Sequence, residues 1–124
     1  MGYLTAQAVL GVLWWASLFR VPSVRTWFEL MPDRRSGLDA FLLADAVVFV
    51  GGSLVAAITI WRRSPWAGTV TALTAGGVAY ATLYLAGWVV LEGSAATGLV
   101  PMGIATVATT AIALGTRGPA RDDG

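Results

Sequence analysis

The feature that most constrains this chain is a series of four apolar runs, each long enough to cross a lipid bilayer. About 20 helical residues span the roughly 30 Å of hydrocarbon in a membrane. Backbone groups in lipid must pair within their own segment, and continuous apolar runs fit helices rather than the alternating strands of a barrel. We therefore predict four transmembrane helices, at Tyr3–Phe19, Leu38–Trp61, Trp66–Leu91 and Ser94–Gly115.

Short polar turns separate three of these runs. Arg62-Arg63-Ser64-Pro65 lies between the second and third, and Glu92-Gly93-Ser94 lies between the third and fourth. Connections this short place consecutive helices side by side in opposite directions. The predicted fold is an all-α membrane protein, an antiparallel up-down bundle of four helices. Residues 1–117 form this single domain, and residues 118–124 form a flexible polar tail.

The composition agrees with this class and excludes much chemistry. Of the 124 residues, 12% are charged and 56% are hydrophobic, whereas soluble domains carry about a quarter charged residues. The chain has no Cys, His, Lys or Asn. These absences exclude thiol chemistry, Cys/His zinc sites, His-ligated haem and Schiff-base lysines. No nucleophile motif, carboxylate dyad or phosphate-binding glycine loop is present. We expect no cofactor, metal site or nucleic-acid binding, and these absences favour a non-enzymatic protein without excluding enzyme activity.

The long connection between the first two runs contains a helix signal of its own. Pro22-Ser23 is a helix start, Val24–Met31 places apolar side chains at helical spacing, and Pro32-Asp33 ends the pattern. We predict a short helix at the membrane interface, followed by a capping box from Ser36 to Asp39. This helix is either a plain connector or a lid over a ligand site.

The number of arginines does not distinguish the two possible orientations in the membrane. With the termini and the Arg62-Arg63 turn on one side, each side carries four arginines. Acidic residues lie among the arginines of the long connection and partly neutralise them. We therefore favour cytoplasmic termini in a cell membrane. The tie also permits insertion in both orientations, with pairing as an antiparallel homodimer.

Large amphipathic side chains mark the predicted helix ends. Trp61 and Trp66 flank the arginine turn, and Arg20 and Trp27 lie near the opposite boundary. Such residues favour the headgroup layer, where a polar tip meets water and the ring meets lipid. We expect these four residues at the membrane interface.

Asp45 is the one charged residue expected within hydrocarbon. It lies seven residues past Leu38, roughly 10 Å into the second helix at about 1.5 Å per residue. A carboxylate near a helix centre costs about 2.5–3.5 kcal/mol on insertion scales, so its side chain should face protein or water. Counting across the arginine turn places Tyr80, Thr82 and Tyr84 opposite it.

Two interpretations of this cluster remain open. In the structural one, Asp45 accepts hydrogen bonds from those hydroxyls or pairs with Arg20, and so holds the helices together. In the functional one, the same groups form a polar pocket walled by Trp14, Trp15 and Trp88, which binds a cation, a proton or a lipid headgroup.

Small residues repeat every four positions in the third run, at Gly68, Ala72 and Gly76. This spacing puts them on one helix face, where backbones can approach closely. They serve packing within the bundle, or they form the seam of a homodimer or larger membrane complex.

The sequence favours a non-enzymatic interaction or accessory component of a bacterial-type inner membrane. The alternative is a small-molecule or lipid-binding protein, transporter-like or lipid-modifying, that uses a pocket at Asp45. Its ligand-binding residues are then Asp45, Tyr80, Thr82, Tyr84, Trp14 and Trp88.

Overall fold

A computed structural model describes residues 1–28 and 36–116, and every regular element in these ranges is helical. Four helices are long and apolar enough to cross a membrane, as the four runs predict. Their bounds are Gly2–Arg20, Leu38–Trp61, Ala67–Glu92 and Ala96–Gly115. We refer to them as the first to fourth long helices. The predicted tail 118–124 lies outside the described residues.

The second long helix changes its winding in the middle. An α-helical part, Ser36–Ala44, leads into a π-helix, Asp45–Gly51, and α-helix returns at Gly52–Trp61. A Cβ on Gly51 would lie only 3.2 Å from the carbonyl oxygen of Ala46. The π-helix therefore ends at a residue that has no side chain to crowd this oxygen. Asp45 is the first residue of this turn. Hydrophobic periodicity did not predict the π-helix.

The connection after the first long helix is less helical than expected. The α-helix Pro22–Arg25 begins at the predicted proline, but it ends before Trp27, and turns follow as far as Phe28. The prediction of continuous helix from Val24 is therefore wrong at Trp27 and Phe28, and its last residues, 29–31, lie outside the described ranges. Phe28 turns inward instead, and its ring packs edge-on against Trp14, with centroids 5.4 Å apart.

The α-helix Ser36–Ala44, which leads into the second long helix, has Asp39 in its first turn. The capping box also needs the Ser36 side chain, which lies outside the described part of the structure. Asp39 accepts a 2.7 Å hydrogen bond from Arg25, an ion pair that joins the connection to the start of the helix.

Two groups of buried apolar residues hold the long helices together. One consists of Trp15, Leu18 and Leu38, with Val24 and Phe28 of the connection packed against it. The other joins Leu4 of the first helix to two alanines of the second, Ala56 and Ala57. The small side chains of Ala56 and Ala57 let the two helices approach closely. Close approach matters where lipid provides no hydrophobic drive for helix association.

A buried polar network joins three long helices. The Gln7 amide nitrogen donates to the Ser53 hydroxyl at 2.9 Å, and the Thr109 hydroxyl donates to the Gln7 carbonyl at 3.1 Å. All three side chains are buried. Throughout the described residues, every buried side-chain nitrogen or oxygen has a hydrogen-bond partner. Gln7 therefore stabilises the contact of the first helix with the second and the fourth.

Candidate functional site

Asp45 faces the first long helix. The indole nitrogen of Trp15 donates a hydrogen bond to its Oδ2 at 3.2 Å. Trp15 is only 5% exposed because Leu18 and Leu38 pack around it. The apolar packing therefore fixes the position of the Trp15 ring. It thereby also fixes the indole N–H that donates to the Asp45 carboxylate.

Asp45 lies in the walls of two clefts. Cleft 1 has a volume of about 540 Å³ and is lined by residues of all four long helices and by Phe28. Cleft 2, of about 530 Å³, lies mainly between the second and third long helices. The residues that line both are Phe41, Asp45, Phe49, Ala81 and Met102. The two clefts therefore meet at the part of the second helix that carries the carboxylate.

Cleft 1 extends along much of the first long helix. On the first long helix its lining extends from Trp14 to Tyr3, a distance of about 16 Å at about 1.5 Å per residue. Phe28 lies at the Trp14 end, and Gln7 lies toward the Tyr3 end. Because Asp45 bonds to Trp15, the carboxylate is at the Trp14 end. The cleft therefore has a charged end and a long apolar remainder.

Cleft 2 opens at the surface beside the third long helix. Tyr80, which is 72% exposed, and Tyr84 line it together with Trp88. The Tyr84 ring lies 5.5 Å from that of Phe41 across the gap. Trp88 donates its indole hydrogen to Ser94, at the turn that precedes the fourth helix. The exposed tyrosines mark the side from which Asp45 is reached between the second and third helices.

The candidate site residues thus divide into two groups. Asp45 and Trp14 line cleft 1, whereas Asp45, Tyr80, Tyr84 and Trp88 line cleft 2.

Thr82 is placed elsewhere. Its hydroxyl lies 2.7 Å from that of Thr106 and also contacts the Met102 carbonyl, so it joins the third and fourth helices. It lines neither cleft. Within the described ranges, the hydrogen bond on Asp45 comes from Trp15, and Arg20 is exposed at its helix end.

The interfacial candidates lie at the ends of long helices or in the connection. Arg20 ends the first helix, Trp61 ends the second, and Trp66 precedes the third. Trp27 lies in the turn after Arg25, and all four side chains are exposed. Their positions are compatible with a headgroup layer on each side of the bundle.

Several residues of the site were not singled out in the sequence. Phe41 and Phe49 precede and follow Asp45 by four residues, which is the helical spacing that puts all three on one face. That spacing was a usable signal. Gln7 is the only glutamine in the chain, and a lone amide in an apolar run also indicates an interhelical contact.

The groups around Asp45 can bind a ligand. Across residues 1–28 and 36–116, no three acidic side chains come together as ligands for a metal ion. The Asp45 carboxylate can accept hydrogen bonds or pair with a cation, and the aromatic rings around it can contact apolar or cationic groups. No family model, no curated protein and no solved structure matches the chain.

Proposed function

We propose that the chain is a multi-pass membrane protein whose four long helices cross the bilayer in alternating directions. The order of contacts supports this arrangement. Gln7 of the first helix bonds to Ser53 of the second. Trp15, eight residues after Gln7, bonds to Asp45, which is eight residues before Ser53. Such opposed numbering is the signature of antiparallel neighbours. The third and fourth helices have the same order, with Thr82 beside Thr106 and Gly68 beside Thr116.

The proposed orientation has cytoplasmic termini in a cell membrane. The Arg62-Arg63 turn is then cytoplasmic, as the positive-inside rule favours. Both arginines are exposed. On the opposite side, Arg25 is paired with Asp39, which offsets part of the positive charge there. Because each side carries four arginines and acidic residues count little in this rule, the proposed orientation rests on this partial compensation alone.

Within that membrane, the protein binds a small apolar molecule that carries one polar group. The observation that supports this function is the position of Asp45. This ionisable residue lies inside the second long helix and lines both clefts. Ionisable side chains in transmembrane helices are costly and usually mark a binding or transport site. A volume of about 540 Å³ is also within the range of about 300–1,000 Å³ found for small-molecule sites.

A photoactivated probe tests this function directly. We expect dodecanol with a diazirine at the far end of its chain to label cleft 1 saturably in protein reconstituted in nanodiscs. Peptide mapping by mass spectrometry should locate the label near Leu10 and Ile104, which line the cleft. Ala6→Phe should reduce this labelling several-fold, because Ala6 is exposed and lines the cleft.

Ala111→Phe is the matched control. Ala111 is also an exposed alanine of a long helix but lines neither cleft. It should leave the labelling unchanged. Label that spreads evenly over outward-facing residues and does not saturate would contradict a ligand site in the cleft.

A second candidate function is that of an interaction component. It is favoured by Gly76, where an added Cβ would meet nothing within 4 Å. The same stripe includes Ala72 and Gly68, but Gly68 already packs against the Thr116 backbone. An interface on the third helix therefore centres on Gly76.

We expect Gly76→Leu to abolish a homodimer formed through this face while leaving the folded monomer intact. The leucine side chain would separate two backbones that a glycine allows to touch. Cross-linking in native membranes, followed by electrophoresis, measures the dimer fraction. An unchanged fraction in the variant would exclude this seam.

A further inference from the structure

The polar groups of cleft 1 are distributed unevenly along its length. The Asp45 carboxylate lies at the Trp14 end and accepts one hydrogen bond, from Trp15, within the described ranges. A carboxylate has room for about four, so acceptor positions remain. At the Tyr3 end the Gln7 amide already bonds to Ser53 and Thr109. A ligand thus meets a carboxylate at the Trp14 end, whereas the Tyr3 end offers only the neutral hydroxyl of Tyr3 and the bonded Gln7 amide.

Among residues 1–28 and 36–116, no basic side chain pairs with the carboxylate at that end. Neither cleft is lined by an arginine from the described part of the chain. A carboxylate in apolar surroundings is stabilised when an opposite charge pairs with it. An anionic group at this end would be repelled by the negative carboxylate.

Aromatic rings surround the charged end. Trp14 and Phe28 line cleft 1 there, Tyr84 lines cleft 2, and Phe41 lines both. The negative faces of such rings attract ammonium groups. The environment of Asp45 therefore favours an organic cation.

The remainder of cleft 1 suits a single chain. Between Trp14 and Tyr3 its lining is mainly small or aliphatic, including Ala6, Leu10 and Ala105. The distance of about 16 Å along the helix is that of an extended apolar tail rather than a compact ring. Cleft 2 offers the approach to Asp45 beside the exposed Tyr80.

We propose that the ligand is a single-chain amphiphile with one positive charge. Its ammonium group pairs with Asp45, and its hydrocarbon chain extends through cleft 1 toward Tyr3. This proposal rests on the ligand-binding function proposed above and specifies the class of the molecule bound.

Three photoactivated probes with the same chain distinguish this ligand from others. Dodecylamine, dodecanol and dodecanoate each carry a diazirine at the far end of the chain and are tested on the full chain in nanodiscs. A primary alkylamine is protonated at neutral pH, as lysine is. We expect half-saturation for the amine at a concentration about tenfold lower than for the alcohol, equivalent to about 1.4 kcal/mol. Dodecanoate should show no saturable labelling.

Asp45→Asn tests the origin of this preference. It should remove the advantage of the amine over the alcohol, because the amide keeps the shape but not the charge. Labelling by the alcohol should persist, which also shows that the variant is folded. Glu92→Gln is the control, since Glu92 is an exposed carboxylate at the end of the third long helix that lines neither cleft. The preference for the amine should survive in it.

A second pair of probes tests the direction of the chain. A diazirine next to the amine should label Trp14 or Phe41, and one at the chain end should label Tyr3 or Ala6. Reversed positions would overturn the proposed pose.

Each other outcome also decides between the proposals. Saturable labelling by the alcohol with no preference for the amine would overturn the charged amphiphile and keep the ligand site. A preference for the amine that persists in Asp45→Asn would overturn the role of that carboxylate. An absence of saturable labelling by any probe would overturn both proposals.

Discussion

Trp15→Ala should lower the free energy of unfolding by about 3 kcal/mol, one of the two largest effects expected in this molecule. Trp15 is 5% exposed and packs with Leu18 and Leu38. Its loss leaves a cavity between the first and second helices and removes the hydrogen bond to Asp45. Unfolding in mixed micelles with increasing sodium dodecyl sulfate, followed by circular dichroism, measures the change.

Trp15→Phe separates packing from hydrogen bonding at the same position. The phenyl ring retains much of the packing but has no donor for the carboxylate. Interhelical hydrogen bonds in membrane proteins contribute about 0.6 kcal/mol on average, so we expect a cost nearer to 1 kcal/mol. If both variants lost the same stability, the hydrogen bond rather than the ring would hold these helices together.

Gly77→Leu should lower the free energy of unfolding by about 1–3 kcal/mol, because it overfills the contact between the second and third helices. A Cβ at Gly77 would collide with the side chain of Val48. Val48 is β-branched and has few alternative rotamers within a helix, so the helix itself must shift. The same unfolding titration measures the effect.

The neighbouring residue provides the control. Gly76→Leu adds the same side chain one position earlier, where an added Cβ meets nothing within 4 Å. It should change the stability of the monomer by no more than about 0.5 kcal/mol. Equal losses in the two variants would show that the glycines act through helix propensity rather than through the contact with Val48.

The four long helices were predictable because their signal is local. Each predicted run agrees with an observed helix to within a few residues, since apolar length and polar turns are read directly from the chain. The connection was harder to predict. Periodicity favoured helix through Phe28, yet the helix ends at Arg25. The contact of Phe28 with Trp14 is tertiary and does not appear in a local pattern.

The candidate site was predictable in its centre but not in its contacts. An acid within an apolar run singled out Asp45, and counting across the turn brought Tyr80 and Tyr84 to the same cleft. The same count placed Thr82 opposite Asp45, whereas its hydroxyl contacts Thr106. Residue counting gives the level of a side chain along a helix, but not the face on which it lies.

The sequence by itself determined the number of long apolar helices, the turns that separate them and the one acidic residue far from any helix end. These follow from composition and spacing, which depend on neighbouring residues only. Tertiary structure decided that Trp15 is the donor to Asp45, that Gln7 joins three helices, and that the clefts meet at the carboxylate. Such features depend on helix rotation, and rotation is set by packing between residues far apart in the chain.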